Sequence, residues 1–152
     1  MHRRNGPRGR TSRWAAALAL LLLVGGSGAV AQDRAASGKA LTGLVKKRLG
    51  RVNLHQVKPF YGDFTGDGRD DALVFAYYDE RSGGNAINLD VMLFEGRPGG
   101  FAFLRKVEDV FGEDPRAAQF SRGRIRITLT TLGPNDPRCC PTLPKQYTIT
   151  AP

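Results

Sequence analysis

Residues 62–71 read Gly-Asp-Phe-Thr-Gly-Asp-Gly-Arg-Asp-Asp, and this run constrains the fold more than any other segment of the chain. Oxygen-bearing side chains stand at alternate positions around two glycines. These side chains converge only if the chain turns tightly, and Gly66 and Gly68 permit the positive φ that other residues resist. The run therefore predicts a compact loop between two extended segments, with side-chain oxygens around one centre.

The spacing of these oxygens is typical of a calcium loop. Ca²⁺ prefers six to eight oxygen ligands at about 2.3–2.6 Å, and side chains at positions 1, 3, 5 and 9 with a carbonyl at position 7 supply most of them. Val74 stands at the twelfth position, where an EF-hand has a bidentate glutamate, so no EF-hand is predicted. The predicted calcium ligands are Asp63, Thr65, Asp67, Asp71 and the backbone oxygen of Arg69.

Residues 61–75 resemble the Asp-x-(Asp/Asn)-Gly-Asp-Gly-x-x-Asp loop of FG-GAP and VCBS-type repeats. The resemblance implies an ion held between two β-strands of an extracellular module. Thr65 replaces the usual Asp or Asn, which removes charge and weakens the site toward dissociation constants of about 10⁻⁴–10⁻³ M. Only one copy is present, so a propeller fold does not come with the motif. The alternative is a glycine-rich turn in which Arg69 pairs locally and no ion binds.

The first 31 residues have the three parts of a secretory signal peptide. A basic stretch precedes an apolar run from Ala15 to Val24, and a small-residue end follows at Ala29-Val30-Ala31. The apolar run is too short to span a bilayer comfortably, so we favour cleavage after Ala31 over an uncleaved membrane anchor. Residues 32–152 are then a single globular domain with no transmembrane segment, and the protein is periplasmic or secreted.

Removal of the signal peptide changes the charge of the chain. The precursor has a net charge of +9, and the signal peptide carries five arginines and no acids, so the mature chain has a net charge of +4. Arg122, Arg124 and Arg126 alternate with apolar residues, as the outer face of a half-buried strand does. The mild excess of positive charge on the mature chain does not require nucleic acid as a partner. The predicted protein is a monomer whose partner is an unidentified protein or envelope component.

Hydrophobic periodicity predicts the secondary structure of the mature chain. Apolar residues recur at three- and four-residue spacing from Ser37 to Gly50, which indicates a short helix with Ser37 as its N-cap. The period then changes to two, and short links favour an antiparallel meander. The fold class is α+β, an N-terminal helix packed on a mostly antiparallel, meander-like β-sheet of about five to six strands. The predicted strands are 55–64, 72–78, 87–95, 101–107, 123–132 and 146–150, with a flexible turn at 81–85.

Cys139 and Cys140 are the only cysteines of the chain, and prolines flank them on both sides. An exported protein meets oxidising conditions, so these thiols are expected to be oxidised. A bond between sequence neighbours closes a small ring that distorts the intervening peptide, and strained disulfides are more easily reduced. Three interpretations stay open: a vicinal disulfide that braces the loop, redox or soft-metal chemistry at two thiolates, and intermolecular pairing.

The two motifs occur in one order along the chain. A Gly-Asp-x-Thr-Gly-Asp-Gly loop comes first, and an Asp-Pro-x-Cys-Cys-Pro element precedes the final predicted strand. In this respect the chain resembles small exported bacterial proteins of unassigned function, and the resemblance covers most of the mature chain. The resemblance implies membership of this group of proteins, but it implies no chemical reaction.

No catalytic constellation is visible in the sequence. The mature chain has one histidine, His55, on an apolar strand, and the sequence names no partner for it. Asp63 and Asp67 are better explained by one shared cation than as a glycosidase pair. The predicted function is a non-enzymatic binding or envelope-associated module with a single calcium-type loop. The alternative is a redox or soft-metal protein that acts through Cys139 and Cys140.

Overall fold

The computed structural model describes residues 26–80 and 87–152. The described chain forms one helix and seven strands in two antiparallel sheets of four and three strands. In both sheets, strands that are consecutive in sequence are neighbours, with orders β1-β2-β3-β4 and β5-β6-β7. The elements are α1 Gly26–Leu49, β1 Val52–Gly62, β2 Asp71–Glu80, β3 Asn88–Arg97, β4 Gly100–Val107, β5 Glu113–Ser121, β6 Arg124–Thr131 and β7 Leu143–Thr150.

The α+β class and the antiparallel meanders are confirmed, whereas the single sheet of five to six strands is wrong. Periodicity shows which residues are extended, but strand-to-sheet assignment depends on which apolar faces pack together. The sequence prediction also missed β5, since its segment carries Pro115 and several charged residues. Proline is tolerated there because β5 is an edge strand, as are β1 with Pro59 and β7 with Pro144.

The molecule has three layers, because the central strands of the larger sheet are buried on both faces. On β2, Leu73 and Phe75 face the three-stranded sheet, whereas Ala72 and Val74 face the helix. A fully buried leucine, phenylalanine or valine side chain contributes about 1.5–3 kcal/mol of transfer free energy. The core between the sheets is completed by Phe64, Val91, Leu93, Val107, Val110, Ile125, Ile127, Leu129, Tyr147 and Ile149.

Helix α1 covers the outer face of the four-stranded sheet through Leu41 and Val45, which are fully buried. The helix ends where the sequence predicts. Gly50 adopts a φ of 73°, and its N–H donates to the carbonyl of Lys46 at 3.0 Å. The predicted N-cap is wrong, because Ser37 lies inside the helix, which is described from Gly26 onward. The segment before Ser37 is rich in alanine, which extends a helix at little cost in free energy.

Two parts of the sequence prediction fall wholly or partly outside the described residues. These are the signal peptide up to residue 25 and the flexible turn at 81–85. Within the part of the chain that is described, no helix is both long enough and apolar enough to cross a membrane.

Candidate functional site

The glycine-rich run forms a loop that joins β1 to β2, and residues 63–71 are called the Asp loop below. Gly66 and Gly68 adopt φ of 80° and 83°, as the sequence predicts. The side chain of Phe64 is fully buried between the sheets, and its carbonyl accepts a hydrogen bond from the N–H of Gly123 at 2.8 Å. The Asp loop is therefore anchored to the turn between β5 and β6.

Asp71 is fully buried at the last position of the Asp loop, where β2 begins. Its Oδ2 accepts hydrogen bonds from the N–H groups of Phe64 at 2.9 Å and Thr65 at 2.8 Å. Its Oδ1 accepts one from the N–H of Gly96 at 2.9 Å. A buried carboxylate is tolerated only when its oxygens are hydrogen-bonded, and these three bonds fulfil that condition. Asp71 thus ties the loop to the end of β3.

Asp63 closes the loop from its other end. Its Oδ2 accepts a hydrogen bond from the N–H of Gly68 at 2.9 Å, and its Oδ1 accepts from the N–H groups of Gly66 and Asp67. The Gly68 N–H, followed by the others, holds the pKa of Asp63 below its usual value of 3.8. The side chain therefore stays charged under all but acidic conditions.

Asp67 and Arg69 form a local pair, which is the arrangement that the ion-free alternative predicts. The Arg69 guanidinium lies 2.7 Å from Asp67 Oδ2, and the Arg69 N–H donates to Asp67 Oδ1 at 2.9 Å. Arg69 Nε also donates to the carbonyl of Gly96 at 3.3 Å.

The Asp loop has the oxygen chemistry that calcium prefers. In the structure its carboxylate oxygens accept hydrogen bonds from N–H groups of the chain, and the Thr65 hydroxyl lies 3.5 Å from Asp63 Oδ1. Among residues 26–80 and 87–152, no three or more His, Cys, Asp or Glu side chains are placed to hold a metal ion. Calcium binding stays a prediction. Its ligands would be Asp63, Thr65, Asp67, Asp71 and the Arg69 carbonyl.

The second candidate is the Cys loop, residues 132–142, which connects β6 to β7. Cys139 and Cys140 form a vicinal disulfide, and both residues are exposed. Asp136 holds the base of the loop, because its Oδ2 accepts hydrogen bonds from the N–H groups of Gly133 at 2.8 Å and Thr142 at 2.7 Å. The Gly133 and Thr142 N–H groups, in that order, lower the pKa of Asp136 from 3.8.

The third candidate is a cleft between the two sheets, at the end of the molecule that carries the Cys loop. Its volume is about 1240 Å³, and both sheets and the Cys loop contribute to its walls. Three apolar side chains at its rim are largely exposed, with Ile87 and Phe111 at 65% and Leu132 at 51%. Other lining residues are His55, Lys58, Tyr77, Asp90, Lys106, Asp114, Arg138, Pro141, Lys145 and Tyr147.

Two tyrosines hold the segment that carries Phe111 in place. Tyr77 donates to the carbonyl of Gly112 at 3.2 Å, and Tyr147 donates to the carbonyl of Phe111 at 2.7 Å. Burial, followed by the charges of Glu113 and Asp114, raises the pKa of Tyr77 to about 12. Both phenols donate to backbone carbonyls next to Phe111, so its exposed side chain stands on an anchored backbone.

The charges of the cleft are partly paired. Lys106 lies 2.7 Å from Asp90, and this hydrogen bond raises the pKa of Lys106. Lys58 lies 3.4 Å from Asp114, which links β1 to β5. Within the described chain, Arg138 and Lys145 have no carboxylate partner, although Lys145 Nζ lies 4.6 Å from the centroid of the Tyr147 ring. Arg138 and Lys145 therefore bring positive charge to the cleft, which Glu113 also lines with negative charge.

His55 also lines the cleft, and its Nε2 lies 3.1 Å from Asp79 Oδ2. In the described part of the chain, no hydrogen bond joins His55 to a Ser, Thr or Cys side chain. A histidine and a carboxylate without a third group do not define a nucleophilic site.

Scans of protein-family models, curated proteins and solved structures found no match to this chain. Its function has to be inferred from its own geometry, and its resemblance to small exported proteins stays a prediction. Sequence reasoning missed the cleft, because its walls come from both sheets and the Cys loop, which are far apart in sequence. It also missed the role of Asp136, although Asp-Pro after a glycine is a local turn signal.

Proposed function

We propose that this protein is an exported, non-enzymatic binding module that holds an extended segment of another protein in the cleft. The observation that carries the proposal is the exposure of Ile87, Phe111 and Leu132 around one opening. Scattered single apolar residues are normal on a protein surface, but a clustered apolar rim around a concave surface is typical of interaction sites.

The size of the cleft favours a polypeptide over a small metabolite. Pockets for small molecules occupy about 300–1000 Å³ and enclose most of the ligand surface. This cleft has a volume of about 1240 Å³, and its rim side chains are more exposed than enclosed. An extended segment with apolar side chains would cover Phe111 and Leu132 together.

The charges of the cleft favour an acidic group on that segment. Lys58 and Lys106 are already paired with carboxylates of the protein. Arg138 and Lys145 remain on the wall next to the Cys loop, without a carboxylate partner among the described residues. A carboxylate of the partner that meets them would form a charge-assisted hydrogen bond, which is stronger than a neutral one.

The Asp loop has a separate role in this proposal. Strands β1 and β2 run from the cleft to the Asp loop. Gln56 pairs with Tyr77 at the cleft end, and Gly62 pairs with Asp71 at the end that the Asp loop closes. We propose it as a calcium-type loop that stabilises the fold. A calcium ion would displace the Arg69 guanidinium from Asp67, which costs little because exposed ion pairs contribute about 0–1 kcal/mol.

Peptide selection tests the binding proposal. A random peptide library is selected on the purified wild-type protein and counter-selected on a variant that carries Phe111→Ser and Leu132→Ser. We expect peptides with apolar side chains and an acidic residue that bind the wild type. Their affinity for the variant should be at least about tenfold lower, a loss of about 1.4 kcal/mol or more. Leu143→Ser is the matched control, because Leu143 is 44% exposed and does not line the cleft.

Charge reversal tests the role of Arg138 independently. Arg138→Glu should weaken the selected peptides, whereas Lys47→Glu on the exposed surface of α1 should leave their affinity unchanged. Peptides that bind the wild type and the Phe111→Ser, Leu132→Ser variant equally well would overturn the assignment of the cleft.

A further inference from the structure

The Cys loop keeps its shape through contacts that do not involve sulfur. Asp136 joins its two sides through the N–H groups of Gly133 and Thr142, and Thr142 Oγ1 adds a hydrogen bond at 2.9 Å. At the tip, the N–H of Cys140 donates to the carbonyl of Pro137 at 3.0 Å. None of these contacts uses the sulfur–sulfur bond, so we expect the backbone around the cysteines to keep its shape after reduction.

The disulfide itself adds little to the stability of the fold. A disulfide stabilises mainly by closing a loop in the unfolded chain, and the effect grows with loop length. Cys139 and Cys140 are sequence neighbours, so their bond restricts no long segment of the unfolded chain. Its consequences are chemical and local.

The same adjacency makes the bond reactive. Neighbouring Cα atoms are about 3.8 Å apart across a trans peptide, which is shorter than the separation of about 4.4–6.8 Å that most disulfides need. Strained and exposed disulfides are the ones that thiols reduce most readily, and both cysteines here are exposed.

We propose that Cys139 and Cys140 form a reversible site that a dithiol reductant opens and that then chelates one thiophilic ion, such as trivalent arsenic. In the first step, the dithiol gives two electrons and two protons, so that the protein disulfide becomes two thiols and the reductant becomes a disulfide. In the second step, an organoarsenic(III) oxide forms two As–S bonds with the two thiols and releases one water molecule. The arsenic is not reduced or oxidised in this step.

The geometry selects the class of ion. Formation of the disulfide shows that both sulfur atoms reach the same side of the chain. Two sulfurs satisfy an ion that needs only two protein ligands, such as organoarsenic(III) or Cu(I), but they leave a tetrahedral zinc site half empty. Thiolate sulfur is the ligand type that soft ions prefer.

Intact-mass spectrometry with phenylarsine oxide tests the proposal. The folded, purified protein is treated with dithiothreitol, freed of reductant without oxygen, and mixed with one equivalent of phenylarsine oxide. We expect two free thiols after reduction, unchanged circular dichroism, and then one phenylarsenic group per chain in place of two hydrogens. The oxidised protein should form no adduct.

Cys139→Ser and Cys140→Ser are the matched controls, since each keeps one thiol in the same loop. We expect the pair to retain arsenic about 100-fold more tightly than either variant against competing dithiothreitol, because the second thiol binds intramolecularly. Equal retention by a single-cysteine variant would overturn the proposal. A disulfide that dithiothreitol reduces only after denaturation, or a reduced protein that forms no adduct, would do the same. Each variant is compared with the wild type by thermal melting, so that a folding defect is recognised.

Discussion

The two ends of the pair of sheets differ in how far their polar and apolar groups are buried. At the Asp-loop end, Phe64 is fully buried and Asp71 receives three backbone hydrogen bonds. At the cleft end, Phe111 and Leu132 are more than half exposed, and two cationic side chains line the wall without a carboxylate partner in the described chain. One end satisfies its polar groups internally, and the other leaves apolar area and charge uncovered.

This difference separates stability from binding. Uncovered apolar surface contributes nothing to the free energy of unfolding, whereas a buried carboxylate with its N–H donors is costly to disturb. Substitutions at the Asp-loop end should therefore affect folding, and substitutions at the cleft rim should affect association. The rim variants Phe111→Ser and Leu132→Ser should each change stability by about 0.5 kcal/mol or less, as exposed substitutions usually do.

The largest effect is expected from Asp71→Asn. Asparagine has an NH₂ group in place of one of the two carboxylate oxygens. This NH₂ group would face at least one of the three backbone N–H groups, and that buried N–H would lose its acceptor. We expect a loss of about 3 kcal/mol in the free energy of unfolding, measured by urea denaturation. Asp70→Asn is the control, because Asp70 is exposed and should change stability by about 0.5 kcal/mol or less. Equal effects of the two substitutions would contradict the role given to Asp71.

Gly96→Ala tests the close packing of the same end. A Cβ on Gly96 would overlap the backbone carbonyl oxygen of Asp70, which cannot move away as a flexible side chain can. We expect a cost of about 2 kcal/mol in the same denaturation experiment. Gly43→Ala in α1 meets no atom within 4 Å and should instead stabilise the protein, by up to about 1 kcal/mol. A neutral Gly96→Ala would mean that the loop end is looser than described.

Calcium is expected to have a smaller effect. With a dissociation constant of about 1 mM, 5 mM calcium would add about 1 kcal/mol, which differential scanning calorimetry detects as a higher melting temperature. Magnesium should not reproduce the shift, and Asp67→Ala should abolish it while leaving the chelator-treated protein folded. Identical melting in calcium and in chelator would leave the Asp loop as a turn closed by its own N–H groups.

The smallest effect concerns Asp136, whose counterpart at the other end is Asp63. Both carboxylates have a pKa lowered from 3.8 by backbone N–H groups. A lowered folded-state pKa stabilises the protein above the unfolded value, and this stabilisation is lost as the pH falls through the folded-state pKa. Asp136→Asn should therefore melt below the wild type at pH 7, and the difference should shrink below about pH 4. A difference that stays constant down to pH 2 would contradict this assignment.

Several elements could be predicted because their causes are local. The C-terminal end of α1 follows from Gly50, and the strands on both sides of the Asp loop follow from apolar runs that end in turn residues. Leu41 and Val45 follow from helical spacing. The vicinal disulfide is one of the three interpretations that two adjacent cysteines leave open, and it is the one that the structure shows.

Other features depend on contacts between residues that are far apart in sequence. The start of α1 was misjudged because Ser37 is a good cap, yet the preceding alanine-rich segment continues the helix. Strand β5 was missed because it contains Pro115, has two register shifts and buries few side chains. Asp71 looks like an ion ligand in the sequence, but one of its hydrogen-bond donors is Gly96, which is 25 positions away.

The sequence by itself determined the α+β class, the tight turn at Gly66 and Gly68, and the adjacent cysteine pair, since each follows from backbone preference or from covalent order. Only the tertiary structure decided that the seven strands of the described chain divide into two sheets and that their ends line a cleft beside the Cys loop. The reason is that β2 and β3 are apolar on both faces, and packing between distant segments chooses what covers each face.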